Sequence, residues 1–227
     1  MFTHINASFA EFPDIFGKTR PENSSSIRVN FNEFSYNKGA EIFGEKEPAD
    51  YVYQVVIGAV RSYKLLSDGR RQIGAFHLAG DIFGLEIGTD HRFTAEAIVD
   101  TTVRLLKRRS LELAADSDVA VARNLLSMTT SNLRHAEDHM LLLGRKTSLE
   151  RVAAFLIEMD KRSTAAGILA LPMCRRDIAD YLGLTLETVS RALSRLHALG
   201  ILGFIGNNQR QIVLLDRQKL VSLDLQH

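Results

Sequence analysis

Four side chains near the C-terminus combine types and spacing that suit hydrogen bonding to base edges: Leu186, Glu187, Ser190 and Arg191. A carboxylate such as Glu187 accepts from cytosine N4, a guanidinium such as Arg191 grips guanine O6 and N7 together, and small or apolar groups such as Ser190 and Leu186 suit a thymine methyl. Arg195 lies one further turn along, and with Arg175, Arg176 and Thr185 it is better placed for phosphate oxygens. A plainer reading stands beside this one. Glu187 and Arg191 are also an i,i+4 ion pair on a solvated helix face, worth about 0.2–0.5 kcal/mol.

The flanking residues supply the elements these groups need. Ile178, Ala179 and Leu182 form the inner face of a short helix, Gly183 sits where a tight turn needs a positive φ, and Thr185 is placed to cap a second helix that buries Val189, Leu193 and Leu196. Helix, glycine turn and capped helix make a helix-turn-helix. Gly200 closes the second helix, Ile201 to Ile205 and Gln211 to Leu215 read as strands, and Gly206-Asn207-Asn208 is the turn between them. The pattern predicts a winged helix-turn-helix. Upstream, Thr147-Ser148-Leu149-Glu150 is a capping box opening a helix with Leu149, Val152, Ala153, Leu156 and Met159 on one face, so a domain is expected over 145–227.

Residues 111–144 contain no proline, and no glycine before Gly144. Ala122, Leu126, Thr129, Leu133, Ala136, Met140 and Leu143 follow alternating steps of four and three, the seam of a helix that pairs with its own copy. A second stripe of Val121, Leu125 and Met128 would cover the domain before it. The alternative is one wide stripe facing the core of a monomer. From 28 to 110 the pattern is one of short strands at Tyr51–Ile57, Ala59–Leu66, Arg71–Leu78 and Ala95–Leu106, punctuated by Gly39, Gly44, Gly58, Asp68-Gly69, Gly80 and Gly84. This predicts a small antiparallel β-roll or jelly roll. Residues 1–27 lack periodicity and end in a turn-rich run, Pro21 to Ser26, so an N-terminal extension is expected.

Composition narrows the classes further. The 227 residues carry 28 Lys and Arg against 27 Asp and Glu, but residues 145–227 hold 12 basic and 8 acidic groups, an excess of four positive charges in the half that carries the helix-turn-helix. Cys174 is the single cysteine, which excludes an intrachain disulfide, a Cys-rich zinc site and an iron–sulfur cluster. No apolar run approaches the roughly 18 residues of a membrane span, and no signal-peptide layout opens the chain, so a cytoplasmic protein is expected. The sequence has no Gly-x-Gly, P-loop, His-Glu-x-x-His or Gly-x-Ser-x-Gly. A cupin-type metal enzyme would need two or three converging histidines and a carboxylate, and the β region offers His77 and His91. His135 and His139 have metal-binding i,i+4 spacing with acidic Glu137 and Asp138 nearby, but two polar histidines beside a helix seam is the commoner outcome, and no metal is expected.

With these features in place, about residues 28 to 216 resemble the CRP/FNR superfamily of bacterial transcription regulators. The resemblance rests on Gly39, Gly44-Glu45, Gly58-Ala59-Val60-Arg61, Asp68-Gly69-Arg70, Gly80-Asp81 and Gly84 in the β region, and on Leu182-Gly183-Leu184-Thr185-Leu186-Glu187-Thr188-Val189-Ser190-Arg191. The set Glu187, Ser190, Arg191 is similar to the FNR and FixK pattern. CRP itself has glycine where Ser190 stands and arginine where Leu186 stands. The cysteines of the FNR cluster are absent, which leaves the FixK type. The resemblance implies an α+β fold of β-roll, long dimerisation helix and winged helix-turn-helix. It further implies a homodimeric activator that binds TTGA…TCAA palindromes in double-stranded DNA, touches RNA polymerase, and acts in low-oxygen respiration or nitrogen fixation.

Two inputs to such a regulator follow from the residues. The resemblance places a cyclic-nucleotide site at Asp81, Arg92 and Thr94, but Phe93 stands where the phosphate-binding arginine belongs, and a one-residue slip along a strand turns Arg92 to the other face. No cofactor is therefore expected, with a cyclic-nucleotide-responsive regulator as the alternative. Cys174 precedes Arg175 and Arg176 at the expected start of the first helix, where a helix N-terminus and two cations favour the reactive form of a thiol. It is a redox candidate. The alternative is that cysteine stands in for the usual Ser or Thr cap.

Overall fold

The computed structural model describes residues 32–145, 147–162, 167–206 and 210–224. The expected N-terminal extension and Asn207-Asn208 of the expected wing turn lie outside the described residues.

The chain forms two compact units that divide between Arg134 and His135. The first opens with strands β1 (Asn32–Tyr36), β2 (Glu41–Phe43), β3 (Tyr51–Ile57), β4 (Ala59–Leu65), β5 (Arg71–Leu78), β6 (Ile82–Phe83), β7 (Thr94–Ala97) and β8 (Thr101–Lys107). They make two four-stranded sheets, β1-β8-β3-β6 and β2-β7-β4-β5, with antiparallel pairing throughout. β-Branched and aromatic residues fill β3, whose Val52, Tyr53 and Val55 are buried. Phe43, Tyr53, Val55, Val60, Phe83, Ala95 and Val103 form one core cluster. His91 is buried with them, its ring stacked 3.6 Å from that of Phe43.

The expected strand from Ala95 to Leu106 is two strands on different sheets. β7 pairs with β4 and β2, whereas β8 pairs with β1 and β3. The crossing is held by Thr101, whose hydroxyl donates to the Val99 carbonyl at 2.7 Å and accepts from the Ala59 N–H at 3.2 Å. Gly58 makes this packing possible. Its φ is +98°, and a Cβ there would lie 2.4 Å from Thr101 Oγ1 and 2.7 Å from the Asp100 carbonyl.

Helices α1 (Arg108–Ser117) and α2 (Val119–Arg145) follow. The single helix expected over 111–144 is thus two, and helix begins as soon as β8 ends. Asp118 explains the break. It takes an extended backbone, φ −128° and ψ 109°, and its carboxylate accepts from the Ala120 N–H at 2.8 Å, so it stops one helix and caps the next. The second stripe does what its spacing implies. Met128 is 1% exposed and packs with Val52, Ile82, Leu106 and Leu111, flanked by Val121 and Leu125.

The second unit takes the last turns of α2, then α3 (Ser148–Arg162), β9 (Ile168–Ala170), α4 (Arg175–Leu182), α5 (Leu186–Ala198), β10 (Leu202–Ile205), β11 (Gln211–Leu214) and α6 (Arg217–Asp224). The expected domain start near 145 therefore falls two to three turns late. His135, His139 and Leu143 pack against the helices after them, which carries the end of α2 into this unit. The capping box at α3 forms as its sequence predicts: the Thr147 N–H donates to the Glu150 carboxylate at 2.7 Å. The strands order as β10-β11-β9 in an antiparallel sheet, of which β9 was not legible beforehand.

Candidate nucleic-acid interface

Helices α4 and α5 bury the faces their spacing predicts. Ile178, Ala179 and Leu182 on α4 and Val189, Leu193 and Leu196 on α5 are each 2% exposed or less. Gly183 joins the two helices at φ +62°, and the Thr185 hydroxyl accepts from the Thr188 N–H at 3.2 Å as the cap of α5. Burying one side of α5 sends the other outward. Glu187, Arg191 and Arg195 stand exposed along it at steps of four, one charged ridge, while Leu186 and Ser190 lie half-buried on the adjoining row.

The Glu187 carboxyl is held below the usual carboxylate range. Hydrogen bonds from its own backbone N–H and from the Thr185 hydroxyl are the main causes, and the nearby charges of Arg176 and Arg191 add to them. It is an ionised acceptor at neutral pH, the state in which it can receive the amino group of a base. The same proximity of Glu187 to Arg191 matches the plainer i,i+4 pairing, and the two roles are compatible in a protein that exchanges one partner for another.

Arg175 is less free than its sequence position implies. Its Nη1 donates to Ser190 Oγ at 3.2 Å, and its guanidinium lies 5.9 Å over the ring of Phe204 in β10. Phe204 in turn stacks on His197 of α5, with ring centroids 5.4 Å apart. The arginine therefore ties together the first helix, the second helix and the wing. Arg176, one residue on, is exposed. Neither Phe204 nor this tie was legible in the sequence, because a contact between strand and helix has no fixed spacing.

Cys174 stands immediately before α4 in an extended conformation, φ −86° and ψ 168°, and its side chain is partly exposed. Cys174 stands as the N-cap of a capping box, its side chain facing the Asp177 N–H, and the reciprocal half of the box comes from Asp177, which the sequence reading passed over. Asp177 is 3% exposed, and its carboxylate accepts from the Cys174 N–H at 3.0 Å. The signal was present: an acidic residue three positions after the cap is the capping-box spacing.

In the β unit, the residues aligned with a cyclic-nucleotide site are engaged locally. The buried Asp81 carboxylate accepts from the Leu78 N–H at 2.7 Å, and Thr94 Oγ1 accepts from the Glu45 N–H at 3.0 Å. Arg92 is exposed, and the Phe93 ring edge lies 3.0 Å from where a Cβ on Gly74 would be. Among the described residues no cluster of three or more His, Cys, Asp or Glu could hold a metal ion. No helix among them is long and apolar enough to cross a membrane.

Comparison with known proteins agrees with both units. The profile of the Crp-like helix-turn-helix domain matches residues 150–223, and that of the cyclic nucleotide-binding domain matches residues 33–118. The nitrogen fixation regulation protein FixK of Rhizobium meliloti (strain 1021) is 42% identical over 189 residues, covering 83% of this chain and 85% of that protein. The protein of the same name from Azorhizobium caulinodans is 44% identical over 194 residues, covering 83% and 77%. The solved structure of FixK2 from Bradyrhizobium japonicum superposes with a TM-score of 0.83 at 71% identity, covering 86% of this chain and 98% of the other. These are DNA-binding regulators, not enzymes, and the chain belongs with them to the FixK type of the CRP/FNR superfamily of transcription regulators.

Proposed function

We propose that this regulator acts as a homodimer on palindromes of the TTGA…TCAA kind, reading each half-site with Leu186, Glu187, Ser190 and Arg191 of α5. Arg175, Arg176, Thr185 and Arg195 take the phosphates on either side. The observation that carries this reading is the ridge of Glu187, Arg191 and Arg195, exposed on a capped helix whose opposite face is buried. Such a helix is shaped to enter the major groove, and a two-fold dimer then sets two half-sites about 34 Å apart. The dimer is supported by the seam on α2, where Leu126, Thr129, Leu133, Ala136 and Met140 are exposed, while in the neighbouring stripe Met128 is buried and Val121 and Leu125 partly so. Leu143 and Ala122, at the two ends of that seam, are half-buried within their own chain.

The regulator works in the cytoplasm, activates transcription through contact with RNA polymerase and serves low-oxygen respiration or nitrogen fixation, the last of these being what the names of its relatives say of them. It binds DNA without a cyclic nucleotide, because Asp81 and Thr94 are taken by backbone donors and Phe93 replaces the arginine a cyclic phosphate would need. Cys174 modulates it: adding acidic oxygen to that sulfur places negative charge where phosphate must approach.

Fluorescence anisotropy on a TTGAT…ATCAA duplex and a scrambled control, at one stated salt concentration, tests the reading. Reduced protein alone is expected to select the palindrome by at least about a thousandfold, with cyclic AMP without effect. Equal affinity for both duplexes would overturn the half-site assignment, and selectivity that appears with cyclic AMP would overturn the effector-independent reading.

A further inference from the structure

Arg151 joins two helix ends through their carbonyls. Its Nη2 donates to the Leu143 carbonyl, near the end of α2, at 2.8 Å, and its Nη1 donates to the Leu182 carbonyl, the last of α4, at 3.0 Å. Neither carbonyl has its ordinary helical donor. The N–H of Thr147, four residues after Leu143, is taken by the Glu150 carboxylate at 2.7 Å, and four residues after Leu182 a new helix has begun at Leu186. The ends of two helices each present partial negative charge, and a planar cation with several donors is the side chain that satisfies both together. Gly183 lies beside this contact and is required by its backbone, φ +62°, not by space: a Cβ there would make ordinary contacts, 3.5 Å from Leu143 Cδ2 and 3.7 Å from Arg151 Nη1.

The contact does not stand alone. His135, His139 and Leu143 recur at steps of four, one ridge of α2, and all three meet α4 or the turn after it. His139 stacks on Tyr181 with ring centroids 4.2 Å apart, and His135 Nε2 lies 3.4 Å from the Tyr181 hydroxyl, which also donates to Glu158. The ridge and the guanidinium together hold the last turns of α2 against α4 within this unit.

We infer that Arg151 is a positioning residue for two-site DNA reading: by clasping Leu143 to Leu182 it sets the half-site spacing that the dimer accepts. This rests on the dimeric reading above. One base pair added between half-sites moves the second by about 3.4 Å and rotates it by about a tenth of a turn. A firmly clasped end of α2 rejects that change, whereas a loosened one absorbs it.

The test measures affinity for palindromes whose spacer is one base pair shorter, native or one longer, by anisotropy, on wild type, Arg151→Gln and Arg151→Lys. Wild type should prefer one spacer by about tenfold or more, and the variants should flatten that preference to within about threefold. Base preference within a half-site should be unchanged, since Arg151 does not belong to the reading surface. Lysine reaches one carbonyl at a time and supports the fold should glutamine fail to, so it keeps the test decisive. A variant that loses thermal stability, or affinity by one factor on every spacer, while keeping the wild-type profile would overturn the proposal. A wild type indifferent to spacing would instead overturn the dimeric reading beneath it.

Discussion

Arg175 Nη1 lies 3.2 Å from Ser190 Oγ, so a residue expected at phosphate and a residue expected at a base are hydrogen-bonded to each other. The contact spans α4 and α5, and the same guanidinium covers Phe204 of the wing. A planar cation over a ring retains that stacking when its hydrogen bonds are exchanged. Arg175 can therefore turn a donor to phosphate while still holding the wing against the helices.

The consequence for binding separates Arg175 from Arg191. Arg175→Ala should weaken binding to all sequences alike and reduce the slope of log affinity against log salt by about 1.8 for the dimer, the effect of one phosphate contact at about 0.9 in each half-site. Arg191→Ala should cost about 1–3 kcal/mol of discrimination at one base pair per half-site and leave scrambled DNA bound as before. Titrations on single-substituted palindromes across a salt series measure both. Should Arg175→Ala shift base preference as much as Arg191→Ala does, its tie to Ser190 would be its main role.

Acid should loosen both units, for a reason visible at two histidines. His91 and His139 are held below the ordinary histidine value, in each case chiefly by burial; His135 adds to the effect at His139, while Glu86, Glu47 and Asp50 oppose it at His91. Both rings are neutral in the folded chain, whereas in the unfolded chain they take up a proton near pH 6.5. The unfolded state then binds more protons between the lowered folded values and 6.5. Stability is complete above about pH 6.5, falls as pH drops below it, and stops falling from this cause once the folded rings titrate. His139→Phe keeps a ring against Tyr181 and should flatten part of the decline in melting temperature between pH 7 and 5. An unchanged decline would show that His139 does not contribute to it.

How far the sequence disclosed this molecule depends on the range of the interactions. The helix-turn-helix was legible residue by residue, because Ile178, Ala179, Leu182, Gly183, Thr185 and Val189 obey local rules of helical period and capping. The break at Asp118 was missed because an acidic residue amid a continuous apolar period carries its capping role in its side-chain geometry. Thr101 switching sheets, Arg175 on Phe204 and Arg151 between Leu143 and Leu182 were all invisible. Each joins residues at separations that no periodicity encodes.

Cys174 yields a prediction with a built-in control. A thiolate attacking peroxide breaks the O–O bond to give a sulfenic acid and hydroxide, which takes a proton from solvent, and a second peroxide oxidises the sulfenate to an anionic sulfinate with release of water. Wild type should lose DNA affinity on treatment, and Cys174→Ser should bind equally before and after. Serine retains a small polar side chain beside the Asp177 cap, so the fold of α4 is not disturbed. If peroxide inhibits both proteins alike, the lost affinity comes from another residue.

The seam on α2 distinguishes two stripes that differ by one position on the helix. Leu126 is 68% exposed, Leu133 59% and Met140 66%, whereas Met128 in the adjoining stripe is 1% exposed. Long apolar side chains left this open on one helix are stabilised by a second copy, where knobs from each chain fill the gaps of the other. Leu133→Glu should therefore place two carboxylates against each other at the seam and dissociate the dimer while each chain stays folded, since nothing in its own core is lost. Met128→Glu should do the opposite. It buries an unpaired charge among Val52, Leu106 and Leu111, which costs several kcal/mol and unfolds the β unit before it affects the seam. Sedimentation equilibrium with circular dichroism on both variants measures the contrast, and anisotropy on the palindrome should show Leu133→Glu binding far more weakly while still selecting the half-site sequence. A Leu133→Glu protein that remains dimeric would place the self-association surface elsewhere on the chain.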